Sequence, residues 1–122
     1  MEQKDHISKA GHNESFWKKL YEENPAKYLD WAVVGIFYSA MHYIDACYYK
    51  KSKKHFKNHE MADSEISRDK DLAVVYADYR DLKQYRWYAS YKSKSFTKED
   101  IQKDLLPSFD KIKTVMLSLL AP

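Results

Sequence analysis

Apolar residues recur every three to four positions over most of the chain, which is the spacing of one face of an α-helix. The longest such stretch covers residues 25–50. It carries polar side chains at Tyr38, His42 and Asp45, all on one stripe of the predicted helix. Polar groups on a core-forming helix need partners, so this stripe is a candidate functional site. The opposite, apolar face of the helix holds Val33, Phe37, Ala40, Met41, Ile44 and Tyr48.

The same periodicity predicts three further major helices. Thr97 with Asp100 matches a capping box at the start of the last one, and Pro107 is expected to bend it. Arg86 falls where the apolar stripe of the third helix calls for a leucine. Helices are expected at 12–23, at 25–50 with Asn24 as its cap and Pro25 as its first residue, from Ser67 or Asp69 to about 90, and from Thr97 onward. A short turn is expected at 61–66, and loops are expected at 52–58 and 92–95.

Short connections favour antiparallel neighbours, so the sequence predicts an all-α, up-and-down bundle of four to five helices with the second helix at its centre. The expected organisation is a flexible N-terminal segment over residues 1–11 and a single helical domain over residues 12–122. With only 2 Gly and 3 Pro, the chain lacks the turn-rich composition of a sandwich and any glycine-rich phosphate loop.

Other features narrow the chemistry. Cys47 is the only cysteine, which excludes an intrachain disulfide and a cysteine-based zinc site. His55 and His59 lie four residues apart, but no firm third ligand accompanies them, so neither a metal nor a cofactor is predicted. No apolar run reaches the length of a membrane span, and residues 1–9 do not resemble a signal peptide. These patterns favour a cytoplasmic protein without a membrane partner.

Positive charge is concentrated at the end of the second helix, although the formal net charge of the chain is only +3. One interpretation is a solvated loop. The other is a surface that contacts a phosphate backbone, with Tyr48, Tyr49 and Phe56 stacking on bases. The cluster consists of Lys50, Lys51, Lys53, Lys54 and Lys57, together with His55 and His59.

Three short segments carry a family resemblance. Residues 37–42, FYSAMH, are similar to an aromatic-Tyr-x-Ala-x-His signature, and residues 55–60, HFKNHE, are similar to a histidine-containing segment that follows it. Residues 86–91, RWYASY, are similar to an Arg-x-x-Ala-Asp-Tyr element in which Ser90 replaces the usual aspartate. Over about residues 28–118 the chain therefore resembles the HEPN domain superfamily, small helical bundles common in prokaryotic toxin–antitoxin and defence systems.

The resemblance implies a homodimeric helical bundle, RNA as a ligand or substrate, and a nucleotidyltransferase-like antitoxin as a candidate partner. Nuclease members of the superfamily use an arginine and a later histidine separated by four to six intervening residues. Here all three arginines, the first being Arg68, come after the last histidine, His59. Counting from Arg86, the expected histidine falls at residues 91–93, where Tyr91 begins the sequence Tyr-Lys-Ser.

Two interpretations of the polar stripe remain open. In one, His42 acts as a general acid or base and Arg86 holds a phosphate, which together would form a minimal phosphodiester site. In the other, Arg86 forms an ion pair with Asp45 and a hydrogen bond with Tyr38, and the three residues make a structural polar cluster.

The resulting hypothesis is a HEPN-like homodimer, non-enzymatic or catalytically degenerate, that binds RNA or a protein partner in a prokaryotic defence or toxin–antitoxin context. One alternative is a metal-independent ribonuclease toxin built on His42 and Arg86. Another is a pure protein-interaction module. The residues expected to contact RNA or a partner are Tyr38, Asp45, Lys50, Lys51, Lys53, Lys54, His55, Lys57, His59 and Tyr91.

Overall fold

The computed structural model describes residues 3–23, 25–91 and 96–121, and these residues form an all-α bundle without a strand. This confirms the predicted fold class. Asn24 and residues 92–95, where a helix cap and a loop were expected, lie outside the described residues. The helices are α1 (Gln3–Glu23), α2 (Pro25–Ser52), α3 (His59–Arg68), α4 (Tyr76–Tyr91), α5 (Lys98–Asp100) and α6 (Leu106–Leu120), with a 3-10 turn at Ala73–Val75 and a π-helical segment at Ile101–Leu105.

Helix α1 begins at Gln3 rather than at the expected residue 12, so most of the segment expected to be flexible is helical. Its inward positions are His6 and Ala10, which are 5% and 0% exposed. The Ser39 hydroxyl of α2 donates a hydrogen bond to the carbonyl of Ala10 at 2.8 Å. The sequence signal was weak because a histidine and an alanine, rather than large apolar residues, form the buried face of this half of the helix.

The expected start of the third predicted helix at Ser67 or Asp69 is wrong, and the short turn expected at 61–66 belongs to a separate helix. Helix α3 already occupies this region, with Asn58 as its N-cap accepting a hydrogen bond from the backbone N–H of Met61. It ends at Asp69, whose carboxylate accepts hydrogen bonds from the backbone N–H groups of Asp71 and Leu72. That local turn competes with a continuous helix, and α4 starts only after the 3-10 turn.

The last helical region begins as predicted. The Thr97 hydroxyl accepts a hydrogen bond from the N–H of Asp100, and the Asp100 carboxylate accepts one from the N–H of Thr97, completing the capping box. The helix then widens into the π-helical segment Ile101–Leu105, which ends two residues before Pro107. Proline has no N–H to continue an α-helical ladder, and the wider turn is a local solution to that missing donor.

Helix α2 lies at the centre of the bundle and packs against α1, α4 and α6. Helix α1 is antiparallel to it, because His6 of α1 meets His42 of α2 while the later residue Trp17 meets the earlier residue Gly35. Helix α6 runs in the same direction as α2, since the Cys47 thiol donates to the carbonyl of Met116 and the Lys50 amine donates to the carbonyl of Leu119. Helix α4 is antiparallel to α2, since Arg86 contacts Tyr38 while the later residue Ser90 lies beside the earlier residue Trp31, so the directions of α1, α2, α4 and α6 alternate along the chain.

The residues of the predicted core face of α2 are at most 7% exposed, except Met41, which is only partly buried. The inward residues of the last region are almost fully buried, as are Leu72, Val75, Tyr79 and Leu82 before and within α4. Burial raises the pKa of the Cys47 thiol to about 12, so this cysteine is a buried apolar residue. None of the described helices is long and apolar enough to cross a membrane.

Candidate functional site: a histidine-lined cleft

A cleft of about 370 Å³ opens at the end of the bundle where the start of α1, the second half of α2 and the start of α3 meet. Its walls include an unusual number of titratable side chains. This end of the molecule is therefore the candidate functional site. The polar residues that line the cleft are His6, His42, Asp45, His55, Asn58 and His59.

His6 lies between two other histidines. Its Nδ1 atom is 3.3 Å from Nδ1 of His42, and its Nε2 atom is 3.3 Å from Nδ1 of His55. A neutral imidazole has one donor and one acceptor nitrogen, so His6 can accept a hydrogen bond on one side and donate one on the other. The three rings thus form a continuous chain of side-chain contacts linking α1, α2 and the loop before α3.

Burial keeps the central histidines neutral. The pKa of His6 is lowered to about 4, first by burial and then by the neighbouring His42 and His55. The pKa of His42 is also lowered, mainly by burial and secondarily by the positive charge of Lys9. At neutral pH both rings therefore carry a lone pair that can accept a proton or bind a metal ion.

Asp45 completes the group. One carboxylate oxygen, Oδ2, lies 3.9 Å from Nδ1 of His6 and 4.0 Å from Nδ1 of His42. Burial raises the pKa of this carboxyl group to about 7. The two distances exceed those of direct hydrogen bonds, so a small gap separates the Asp45 oxygen from the two histidine nitrogens.

Arg86 does not join this group, and the expected pairing of Arg86 with Asp45 is absent from the described residues. Its guanidinium donates a hydrogen bond to the Tyr38 hydroxyl at 2.7 Å. It also lies over the rings of Phe37 and Tyr38, 5.7 and 5.2 Å from their centres. The reason is axial distance: Asp45 lies seven residues beyond Tyr38, or about 10 Å along α2.

The predicted stripe therefore divides into two separate groups. Tyr38 and Arg86 form a cation–π and hydrogen-bonded pair between α2 and α4, and His42 and Asp45 belong to the cleft. The buried Nε atom of Arg86 has no hydrogen-bond partner in the described part of the chain. Tyr91, at the end of α4, is 66% exposed and lies outside the cleft lining.

Two of the five predicted lysines have structural roles. Lys51 forms ion pairs at 2.8 Å with both Asp69 and Asp71, which lie after α3. Lys50 binds the carbonyl of Leu119 at the end of α6. Lys53, Lys54 and Lys57 remain on the exposed side of the loop that precedes α3.

The aromatic residues proposed to stack on bases have intramolecular partners instead. Tyr48 is 7% exposed and stacks on Phe56 with ring centres 4.2 Å apart. Tyr49 stacks on His55 at 4.9 Å, and the amine of Lys53 lies over the ring of Tyr49. In this conformation the stacked ring faces hold the loop against α2, and base stacking by these residues stays a prediction.

Sequence reasoning missed His6 entirely, because residues 1–11 were expected to be flexible. A signal was present: His6, Ala10, Glu14 and Trp17 recur at helical spacing, and all four are buried. The same stripe contains a second missed feature, the buried Glu14 carboxylate. Reading alanine and polar residues as part of a buried face would have found both.

Taken together, the fold and the cleft define an all-α bundle with a partly buried group of three histidines and one aspartate at one end. No protein-family model, curated protein or solved structure matches the chain.

Proposed function

We propose that this protein binds single-stranded RNA at the cleft end of the bundle without cleaving it. The proposal includes the HEPN-like assignment, a cytoplasmic location and a role in prokaryotic defence or toxin–antitoxin systems. The observation that carries it is the position of the exposed lysines Lys54 and Lys57, which flank His55 in the loop forming one wall of the cleft.

The charge and shape of this end support the proposal. Lys54 and Lys57 are both exposed, so their amines can reach phosphate oxygens. Asn58 and His59 at the cleft add side chains of the types that contact phosphate and sugar groups. A cleft of about 370 Å³ has the size of small-ligand pockets and suits one nucleotide unit.

Cleavage is left out of the proposal for a geometric reason. The ribonuclease alternative requires His42 and Arg86 at the same phosphate, whereas Arg86 contacts Tyr38 and Phe37. The chain also lacks a histidine separated from a preceding arginine by four to six residues. We therefore expect labelled single-stranded RNA to remain intact after incubation with the purified protein, as judged on a denaturing gel.

RNA binding is tested by fluorescence anisotropy with a labelled single-stranded RNA over a range of salt concentrations. We expect Lys54→Glu combined with Lys57→Glu to weaken binding at least tenfold and to reduce the slope of log K against log salt by about one to two. A protein that acts only through protein contacts would show no salt-sensitive RNA binding, and that result would reject the proposal.

The matched control is Lys19→Glu combined with Lys103→Glu, which changes the net charge equally. Lys19 lies 13 residues beyond His6 on α1, about 20 Å from the cleft. Lys103 forms an exposed pair with Glu99, of a kind that contributes little to stability. Equal loss of binding in the control and the test variant would show that only net charge matters, against a site at the cleft.

The proposal also includes a homodimer formed through the aromatic surface of α2 and α4. Trp31 and Tyr91 are 62% and 66% exposed, and Trp87 is 43% exposed. Trp31 shares a surface depression with Ala89 and Ser90, so the two helices present one continuous face. Exposed apolar patches of this type are typical of protein interfaces.

We expect the protein to be a dimer at micromolar concentration in light scattering and Trp31→Glu to be a monomer. Phe16→Glu is the control, because Phe16 is 52% exposed on α1, outside this face. A strictly monomeric parent protein would contradict the dimer and leave the face for another partner, such as the nucleotidyltransferase-like protein that the HEPN resemblance implies.

A further inference from the structure

We infer that His6, His42 and Asp45 form a binding site for one divalent transition-metal ion, with Zn²⁺ as the reference ion. The three side chains each offer one ligand atom, and these atoms all lie within 4.8 Å of one another. The set was invisible in the sequence because its members come from two helices and His6 is 36 residues from His42.

The ligand atoms form a nearly regular triangle. Its sides are 3.3 Å between the two histidine nitrogens and 3.9 and 4.0 Å from those nitrogens to the Asp45 oxygen. A point about 2.2 Å from all three atoms exists within this triangle, close to the distance of roughly 2.0–2.2 Å at which zinc binds imidazole nitrogen and carboxylate oxygen. An ion therefore fits without a rearrangement of the helices.

His55 supplies the support that a metal-binding histidine needs. If Nδ1 of His6 binds the ion, its Nε2 atom carries the proton and can donate to Nδ1 of His55 at 3.3 Å. Such an outer hydrogen bond fixes the tautomer and the orientation of the ligand ring. His55 is itself held by stacking on Tyr49, so the support extends back to α2.

The donor set also selects the class of ion. Two imidazoles and one carboxylate suit zinc, iron, cobalt or nickel, whereas Mg²⁺ prefers oxygen ligands. Lys9 places a positive charge near His42, and the Asp45 carboxylate offsets it. Three protein ligands leave coordination positions for solvent or another ligand, and the adjoining cleft of about 370 Å³ provides room for them.

The test uses the full chain, stripped with a chelator and titrated with Zn²⁺ alone, by calorimetry and without RNA. We expect one equivalent to bind with micromolar or tighter affinity and Mg²⁺ to give no binding. On the unaltered protein, the imidazole nitrogen resonances of His6 and His42 should shift on addition of Zn²⁺ while those of His12 stay in place. Because RNA is absent, the result is independent of the proposed function.

Variants locate the site. His6→Ala and Asp45→Asn should each weaken Zn²⁺ binding at least a hundredfold, and His55→Ala should weaken it by roughly ten- to a hundredfold. His12→Ala is the matched control, since His12 lies on the same helix with an exposed side chain. Equal affinities of the His6 and His12 variants, unmoved His6 resonances, or the absence of binding would overturn the inference. If His6→Ala does not fold, the resonances of the unaltered protein decide.

Discussion

Replacing Glu14 with glutamine is expected to lower the free energy of unfolding by about 2–3 kcal/mol at neutral pH. Glu14 is only 6% exposed, and its carboxylate accepts hydrogen bonds from the Tyr43 hydroxyl at 3.1 Å and from the Lys113 amine at 2.8 Å. The amine of Lys18 lies 2.8 Å away on the open side. Glutamine keeps the shape of the side chain but removes the charge that binds both lysines, and Lys113 is left without its partner between α1, α2 and α6.

The same carboxylate predicts a pH dependence. Burial alone would raise the pKa of Glu14, but hydrogen bonds from Lys113 and Lys18 outweigh it and lower the pKa below the usual 4.5. The folded state therefore binds this proton less readily than the unfolded state. The stabilisation is complete at pH values above 4.5 and is lost as the pH falls through the lower, folded-state pKa.

Urea denaturation at a series of pH values between 7 and 3 measures both effects. The stability of the parent protein should fall more steeply in acid than that of Glu14→Gln, so the difference between them should shrink as the pH decreases. Glu22→Gln is the control, because Glu22 is an exposed residue of the same helix and its change should cost less than about 0.5 kcal/mol. A constant difference across the pH range would show that the Glu14 charge does not stabilise the fold.

Much of the bundle could be predicted because large apolar residues at helical spacing indicate most of its helices. The core face of α2 and the capping box at Thr97 were read directly from such local patterns. The first half of α1 was not, because its buried face consists of His6, Ala10 and Glu14, whose burial depends on partners elsewhere in the chain. A break before the third predicted helix was expected, but the start of α4 was placed too early, because the Asp69 side chain forms a turn after α3.

The candidate site, too, could be predicted only where local sequence patterns indicated its residues. The sequence identified His42, Asp45 and His55 as unusual, and the structure places all three in one cleft. Their common neighbour, His6, depends on the axial level at which α1 packs against α2, and the short connection predicts antiparallel packing but not that level. Arg86 shows the opposite error: it lies on the expected face of α4, but the axial level at which α4 packs brings it to Tyr38 instead of Asp45.

That packing of α1 against α2 depends on Gly35, and the next expected result tests it. A Cβ atom added at Gly35 would lie 2.8 Å from Cβ of Trp17, a distance at which one of the two helices must move. Trp17 cannot give way easily, because its ring is 3% exposed and packs edge-on against Phe109 with centres 5.3 Å apart. Gly35 is thus a point of close approach between the two helices.

Gly35→Ala should lower the free energy of unfolding by about 1–2 kcal/mol, since overpacking of about 1–3 kcal/mol exceeds the helix-propensity gain of up to about 1 kcal/mol. Gly35→Val should cost about 3 kcal/mol or more, because its two further methyl groups enter the same gap and valine gains little in helix propensity. Both variants should also weaken Zn²⁺ binding, because the separation of α1 and α2 sets the distance between His6 and His42. Urea denaturation and the zinc titration measure these effects.

Gly11→Ala, in the same pair of helices, should change the free energy of unfolding in the opposite direction. Nothing lies within 4 Å of a Cβ atom added at Gly11, so the alanine meets no steric cost and restricts the unfolded chain. We expect a gain of about 0.5–1 kcal/mol in the free energy of unfolding. If Gly35→Ala stabilises the protein as Gly11→Ala does, the two helices are not in close contact at Trp17. The His6–His42 distance would then lose its structural basis, because the register between α1 and α2 that creates the cleft rests on that contact.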